Sequence, residues 1–253
     1  MPSFDAYIIC TSPRSGSTLL CNMLKETGTA GRPGSHFFEP SVDNWLEEYA
    51  LPTIASERHE DTLRRVFEAA IARGKGGTNI FGLRMQRHSF AYFTDQLALL
   101  LPDALTDRDR MTTAFGKTLF IYLSRDDKVA QAISFVKAQQ TGLWHKAPDG
   151  RELERLSPPS EPVYDFKRLR ETYETFLSNE LEWRDWFDRE NINPITLTYE
   201  ALSKDPTGAT CEIVSAIGLD PHGCRHVRPG TAQLSDKTSQ DWAERFRAEL
   251  ERC

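Results

Sequence analysis

The 253-residue chain has no apolar run long enough to span a membrane; Leu97 to Leu101 is far too short. Its first residues lack a basic stretch followed by an apolar one, so no secretory leader is expected. It has only five cysteines, an odd number and scattered, which argues against a disulfide framework and for a reduced, cytoplasmic protein. It has no surplus of positive charge: 31 Lys and Arg stand against 37 Asp and Glu, a formal net charge of -6. A nucleic-acid partner is therefore not expected. Internal repeats and linker-like stretches are absent too, so residues 1–253 read as a single domain.

What is present begins with one stretch, Pro13-Arg14-Ser15-Gly16-Ser17-Thr18. The apolar run Ala6-Tyr7-Ile8-Ile9-Cys10 before it has the length and the β-branched, aromatic character of a buried strand. Leu19, Leu20, Met23 and Leu24 after it return at helical spacing. The order is strand, tight loop, helix. Pro13 and Gly16 supply the turn, and Gly16 lets a ligand approach the backbone. Ser17 and Thr18 put hydroxyls at a helix N-terminus, where free N–H groups attract an anion. Arg14 adds a forked cation suited to phosphate oxygens. The stretch reads as a phosphate cradle.

Other cradles of this kind are excluded by what the loop lacks. A nucleoside triphosphatase loop needs a Lys before the Ser-Thr pair and is two residues longer. Cys10 stands too close to Arg14 for the cysteine-to-arginine spacing of a phosphatase loop. A dinucleotide turn needs three spaced glycines, and Gly16 is alone.

Further along, residues 41–77 are helical in pieces, and Thr78 to Met85 reads as a second strand. Phe90 to Leu101 has helical spacing, and 102–116 reads as a surface loop or short helix. Thr118 to Leu123 is near-continuously apolar, as a central strand buried on both faces should be. It ends at Ser124-Arg125-Asp126-Asp127; Asp126 or Asp127 can cap the helix marked by Val129, Ile133 and Val136. Arg125 thus stands at the carboxyl end of a strand, where ligands of open α/β sheets collect. Residues 145–163 read as a loop or flap. A long helix carries Phe166 through Phe187, Ile195 to Tyr199 forms a further strand, and a helix through Ile213 stops at Gly218. Residues 219–238 are irregular, and Ser239 is the expected cap of a last helix with Trp242 and Phe246. Most of the tryptophans are expected in the core, although such rings can also stack on a sugar. Alternating strands and helices predict an α/β domain around a central parallel sheet flanked by helices.

Placed together, these segments resemble the sulfotransferase superfamily. Within it the chain is most similar to the bacterial trehalose 2-sulfotransferase family, which includes NodH-like lipopolysaccharide sulfotransferases. The matching stretches are Ser12 to Leu24, Arg125-Asp126 through Trp144, Trp183 to Phe187, Thr198 to Leu202, and Ser239 to Phe246. The resemblance implies a P-loop-like three-layer fold and a nucleotide donor, 3′-phosphoadenylyl sulfate (PAPS), which leaves as adenosine 3′,5′-bisphosphate. Pro13, Arg14, Ser15, Gly16, Ser17 and Thr18 match its 5′-phosphosulfate site, and Arg125 with Ser134 its 3′-phosphate clamp. His36 is the implied base for the acceptor hydroxyl, with Glu39 as the alternative and Arg14 holding leaving-group charge. Arg84 and Phe37 are the implied substrate contacts. Tyr199-Glu200 matches a recurring strand-end element, and Lys237 and Ser239 are placed to close over the nucleotide. The resemblance further implies a carbohydrate or glycolipid acceptor and a homodimer.

No metal is expected. His222-x-Cys224-x-His226 lacks the fourth ligand of a closed zinc site. Two other readings remain open at this point: a P-loop kinase-like nucleotide-binding protein, and a catalytically inactive nucleotide-binding member of the fold.

Overall fold

β1 (Ala6–Thr11) is buried along its whole length, and its two faces feed two different cores. Ala6, Ile8 and Cys10 pack with Trp45, Phe67, Phe81 and Phe93 on one side. Tyr7 and Ile9 pack with Leu20, Leu24, Ile213 and Val214 on the other. A strand buried on both faces needs apolar residues at every position, which explains the uninterrupted run. The computed structural model describes residues 2–232 and 234–252.

β1 leads through the loop into α1 (Ser17–Glu26). Then come α2 (Val42–Glu48), α3 (His59–Lys75), β2 (Phe81–Gln86), α4 (Arg87–Leu100), α5 (Asp107–Phe115), β3 (Thr118–Ser124) and α6 (Lys128–Thr141). β4 (Leu143–Lys146) and β5 (Glu152–Arg155) form an antiparallel hairpin. The chain ends with α7 (Phe166–Arg189), β6 (Ile195–Thr198), α8 (Tyr199–Lys204), α9 (Pro206–Ile217), a 3₁₀ turn (Pro221–His226) and α10 (Lys237–Leu250).

The main sheet has the order β2-β1-β3-β6, and its strands are parallel. Helices cover both faces, so the predicted three-layer α/β arrangement with a central parallel sheet is what the chain adopts. The register pairs Thr11 with Gln86 and with Leu123, and Ser124 with Thr198. All four strands therefore end level, and their loops open onto one carboxyl edge.

A third cluster, with Val129, Ile133, Leu169, Trp242 and Phe246, binds α10 across α6 and α7. Asp127 caps α6 by accepting from Ala130 N at 2.9 Å. The cap of α10 is Asp236, which accepts from Ser239 N at 2.8 Å, rather than Ser239 itself. Within 145–163 the hairpin occupies part of the expected flap; Gly150, at φ 87, turns it.

The cysteine reading needs one correction. Cys211 of α9 and Cys224 of the 3₁₀ turn are bridged, with Cα atoms 5.6 Å apart. The turn doubles the chain back onto α9, so cysteines 13 positions apart meet. Cys10 and Cys21 are free and buried; Cys253 lies outside the described residues. Among the described residues no helix is long and apolar enough to cross a membrane.

Candidate active site

The loop after β1 is held in a left-handed conformation at Arg14, φ 63, and at Gly16, φ 83. Gly16 is needed for space as well, because a Cβ there would stand 2.7 Å from Cδ2 of Tyr199. Tyr199 begins α8, and its ring lies 4.5 Å from the guanidinium carbon of Arg125. Ser15 turns its hydroxyl inward, 2.5 Å from Thr11 Oγ1, and is fully buried. Its side chain therefore braces the loop and does not face a ligand. Gln131 of α6 steadies the loop by donating to Pro13 O at 2.7 Å.

Arg14 donates through Nε to Ser134 Oγ at 2.9 Å and through Nη1 to Trp144 O at 2.8 Å. Arg125 Nη1 donates to the carbonyl of Arg14 at 3.2 Å. The Nε of Arg125 is buried without a hydrogen-bond partner among the described residues. Burial and the neighbouring Arg125 charge lower Arg14 to about 10, so it remains a cation at neutral pH. Glu200 is structural: its carboxylate accepts from the backbone N–H of Asp126 and Asp127, fixing the turn that carries Arg125.

Arg84, on the β2 face opposite Leu83 and Met85, reaches the same edge. It donates through Nε to Ser35 Oγ at 2.8 Å and through Nη1 to Thr18 Oγ1 at 2.9 Å. Thr18 Oγ1 is in turn 3.2 Å from Nε2 of His145 on β4. The Thr18 hydroxyl, with one proton and two lone pairs, can therefore serve Arg84 and either tautomer of the imidazole. Nε2 also stands 3.4 Å from Oε2 of Glu154 on β5. Burial, with Arg14 and Arg84 nearby, lowers His145 to about 4. A single cavity of about 1370 Å³ is lined by Arg14, Thr18, Arg84, Arg125, Ser134 and His145. The loop residues and the two strand-end arginines thus share one space.

Two of the residues expected there are elsewhere. Phe37 is 1% exposed and packs against Trp45, Phe67 and Phe93, so it cannot touch a substrate. His36 is 7% exposed, with Nε2 3.1 Å from Arg32 O and its ring stacked on Phe81. Burial lowers it to about 4. It is not among the residues that line the cavity. Glu39 is exposed and lies outside the cavity lining. Its charge acts on His88, which does line the cavity and packs edge-on against Phe38. Of the C-terminal pair, Ser239 reaches the cavity and Lys237 does not; Lys137 of α6 does instead, paired with Asp236 at 2.6 Å. Trp45, Trp183 and Trp186 are core, whereas Trp144 lines the cavity. The sulfur of Cys224 is in the bridge to Cys211 and is not available to a metal.

His145 and Glu154, which line the cavity, were not singled out in the sequence. The available signal was the adjacency of His145 to Trp144, the last residue of a stretch that carried the family resemblance.

The family model for Stf0 sulphotransferase matches residues 6–249. A trehalose 2-sulfotransferase of Mycobacterium tuberculosis is 29% identical over 97% of this chain and 96% of its own length. Another, of Mycolicibacterium smegmatis, is 28% identical over 98% and 96%. Among solved structures, the sulfotransferase domain of the Synechococcus PCC 7002 olefin synthase aligns at 17% identity and a TM-score of 0.46. That alignment covers 96% of this chain and 86% of that one.

Proposed function

Because the chain belongs to the Stf0 sulphotransferase family and is a sulfotransferase, we propose that it moves a sulfuryl group from PAPS to a hydroxyl of a carbohydrate or glycolipid. The observation that carries the reading is the convergence of Arg14 and Arg125 on one cavity from loops after two adjacent strands. Arg14, Ser17, Thr18 and the N–H groups of the loop suit the phosphosulfate end of the donor. Arg125, with its unpartnered Nε, and Ser134 suit the separate 3′-phosphate. Arg84 lies beyond Thr18, where the acceptor and the departing sulfonate would meet.

In such a transfer the acceptor oxygen forms a bond to sulfur as the bond from sulfur to the phosphate oxygen breaks. Negative charge grows on the leaving bisphosphate, and Arg14 and the start of α1 are the groups placed to stabilise it. Two relatives named for trehalose make that sugar the first acceptor to test. A homodimer and a cytoplasmic location belong to the same proposal, carried over from the family resemblance. The Cys211–Cys224 bridge is the feature that a reducing compartment would open.

Two measurements test the reading. Arg125→Ala should weaken adenosine 3′,5′-bisphosphate by about 100-fold in calorimetry, since a charge-assisted contact contributes about 1.5–3 kcal/mol; unchanged binding would remove Arg125 from the site. The bisphosphate should stabilise the protein thermally where ATP does not; the reverse result would favour a kinase-like protein, which the missing Lys before Ser17 already opposes. Binding of PAPS without release of labelled sulfate to trehalose or water would point to an inactive member of the fold.

A further inference from the structure

We propose that His145, carried on the β4–β5 hairpin, takes the proton from the acceptor hydroxyl, with Glu154 across the hairpin as its positioning residue. The proposal rests on the sulfotransfer reading above. It begins from a vacancy in the chemistry: the site needs a base, and the expected one, His36, is sealed in the core against Phe81 and the Arg32 carbonyl. Two histidines line the cavity among the described residues, His88 and His145. His88 packs edge-on against Phe38 at 5.0 Å. His145 instead touches Thr18, in the first turn of α1, at the end of the loop assigned to the phosphosulfate.

The hairpin fixes this placement twice. His145 and Glu154 are directly opposed across the β4–β5 ladder, so their side chains share one face. The residue before His145 is tied to the donor loop, because Arg14 Nη1 donates to Trp144 O at 2.8 Å. The base and the anion loop are therefore set relative to each other by one hydrogen bond and one strand pair.

The step balances as follows. The acceptor O–H bond breaks and its proton passes to Nε2, the ring nitrogen that faces Thr18. The acceptor oxygen bonds to sulfur, and the sulfur–oxygen bond to the phosphate breaks, its electron pair leaving with adenosine 3′,5′-bisphosphate. The imidazolium so formed has the Glu154 carboxylate 3.4 Å from Nε2, which stabilises the new charge. The charged groups facing His145 are Arg14 from the loop, Arg84 from β2 and Glu154 from β5. In the free protein the two arginines and burial disfavour its protonation. The negative charge of bound donor offsets those arginines and makes the imidazole a stronger base when it is needed.

The test uses PAPS labelled in its sulfate and follows both transfer to trehalose and release to water, so that no particular sugar is required. His145→Gln should lower kcat for whichever acceptor is used by about 100-fold, the scale of a lost general base. Its affinity for adenosine 3′,5′-bisphosphate, measured by calorimetry, should stay within about threefold of the unaltered protein, because a base adds to the chemical step and not to donor binding. Added imidazole should restore part of the turnover of His145→Ala, which a purely structural histidine would not permit. Glu154→Gln should lower kcat by about tenfold and move the acid limb of the pH profile to lower pH, since removing the carboxylate makes the imidazolium less stable. A His145→Gln protein with unreduced kcat, or one that loses bisphosphate affinity in proportion to kcat, would overturn the assignment. An unaltered protein that releases no label to any acceptor would overturn the sulfotransfer reading and this one with it, whereas an active one matched by His145→Gln overturns this one alone.

Discussion

Gly16→Ala is the sharpest probe of the loop, because two separable costs can be read from the structure. The first is conformational. At φ 83 an L-residue is held in the left-handed region, which costs about 1–2 kcal/mol. The second is steric: the new methyl would stand 2.7 Å from Tyr199 Cδ2. The ring cannot swing aside freely, because the Arg125 guanidinium stacks on it at 4.5 Å. Overpacking of that kind costs about 1–3 kcal/mol, so the substitution should destabilise the protein by about 2–5 kcal/mol in all. For a chain of this size that is a fall in melting temperature of about 4–20 °C. Gly28→Ala supplies the control. Gly28 has φ 70 with nothing within 4 Å of its new Cβ, so it should show the conformational cost alone. The difference between the two variants in urea unfolding isolates the Tyr199 contact. Gly16→Ala should also weaken adenosine 3′,5′-bisphosphate by at least about tenfold, since Tyr199 and Arg125 must move together and small misplacements in a site are costly. Equal destabilisation of the two variants, with bisphosphate binding intact, would refute the picture of Tyr199 as a wedge between loop and arginine.

Two further outcomes follow from the same structure. His36 is held neutral in the folded state, lowered from 6.5 to about 4, so the unfolded chain takes up its proton first as pH falls. Its contribution is fully present above about pH 6.5 and is lost as pH drops towards 4, at up to about 1.4 kcal/mol per pH unit. His36→Gln should flatten that slope in urea unfolding while leaving kcat intact; a collapse of kcat in a folded variant would return His36 to the chemistry. Cys211→Ser opens a bridge between residues 13 apart, and loops of that size imply a loss of about 3 kcal/mol. The same loss should appear on reducing the unaltered protein, and identical melting with and without reductant would show that the bridge does not hold α9 to the 3₁₀ turn.

The fold was legible where burial leaves the sequence little choice. Ala6 to Cys10 and Thr118 to Leu123 are apolar because both faces of the sheet are covered, and no surface strand has that need. The position of Arg14 and Arg125 at the sheet edge was legible because each lies in the loop after such a strand. The burial of His36 was not legible, because the run His36-Phe37-Phe38 does not say which side chain faces inward. The structure decides it through Tyr49, whose hydroxyl donates to His36 O at 2.8 Å and helps hold that turn against the core. The pair His145 and Glu154 was invisible for a different reason. Strands of four residues around Pro148-Asp149-Gly150 have little intrinsic preference, and the pairing exists only through cross-strand register. The disulfide is the same kind of fact: a chain reversal at Pro221 brings together cysteines whose spacing announces nothing.

The chain carries a net charge of -6, yet five arginines line its cavity, and three of them, Arg14, Arg84 and Arg125, differ from Arg155 and Arg247 in how they are held, since Arg155 pairs with Glu152 and Arg247 with Asp127. How they are held explains why this is useful. Arg14 is bound by a serine hydroxyl and a carbonyl, Arg84 by Ser35 and Thr18, and Arg125 by a carbonyl and the Tyr199 ring. Among the described residues none of the three forms an ion pair with a carboxylate. Cations that only need anchoring are treated otherwise: Lys128 pairs with Glu180 at 2.5 Å and Arg87 with Glu182 at 2.7 Å. Glu200, whose charge acts on Arg125, is hydrogen-bonded to backbone N–H groups and not to the guanidinium. A carboxylate on any of the three arginines would relieve their mutual repulsion but would also compete with phosphate and sulfate for the same donors. Neutral acceptors fix the geometry and keep the donors out of ion pairs, while Glu154 acts on Arg14, and Glu200 and Asp127 on Arg125, without pairing with them; a polyanionic nucleotide would remove the repulsion between Arg14 and Arg125 on binding.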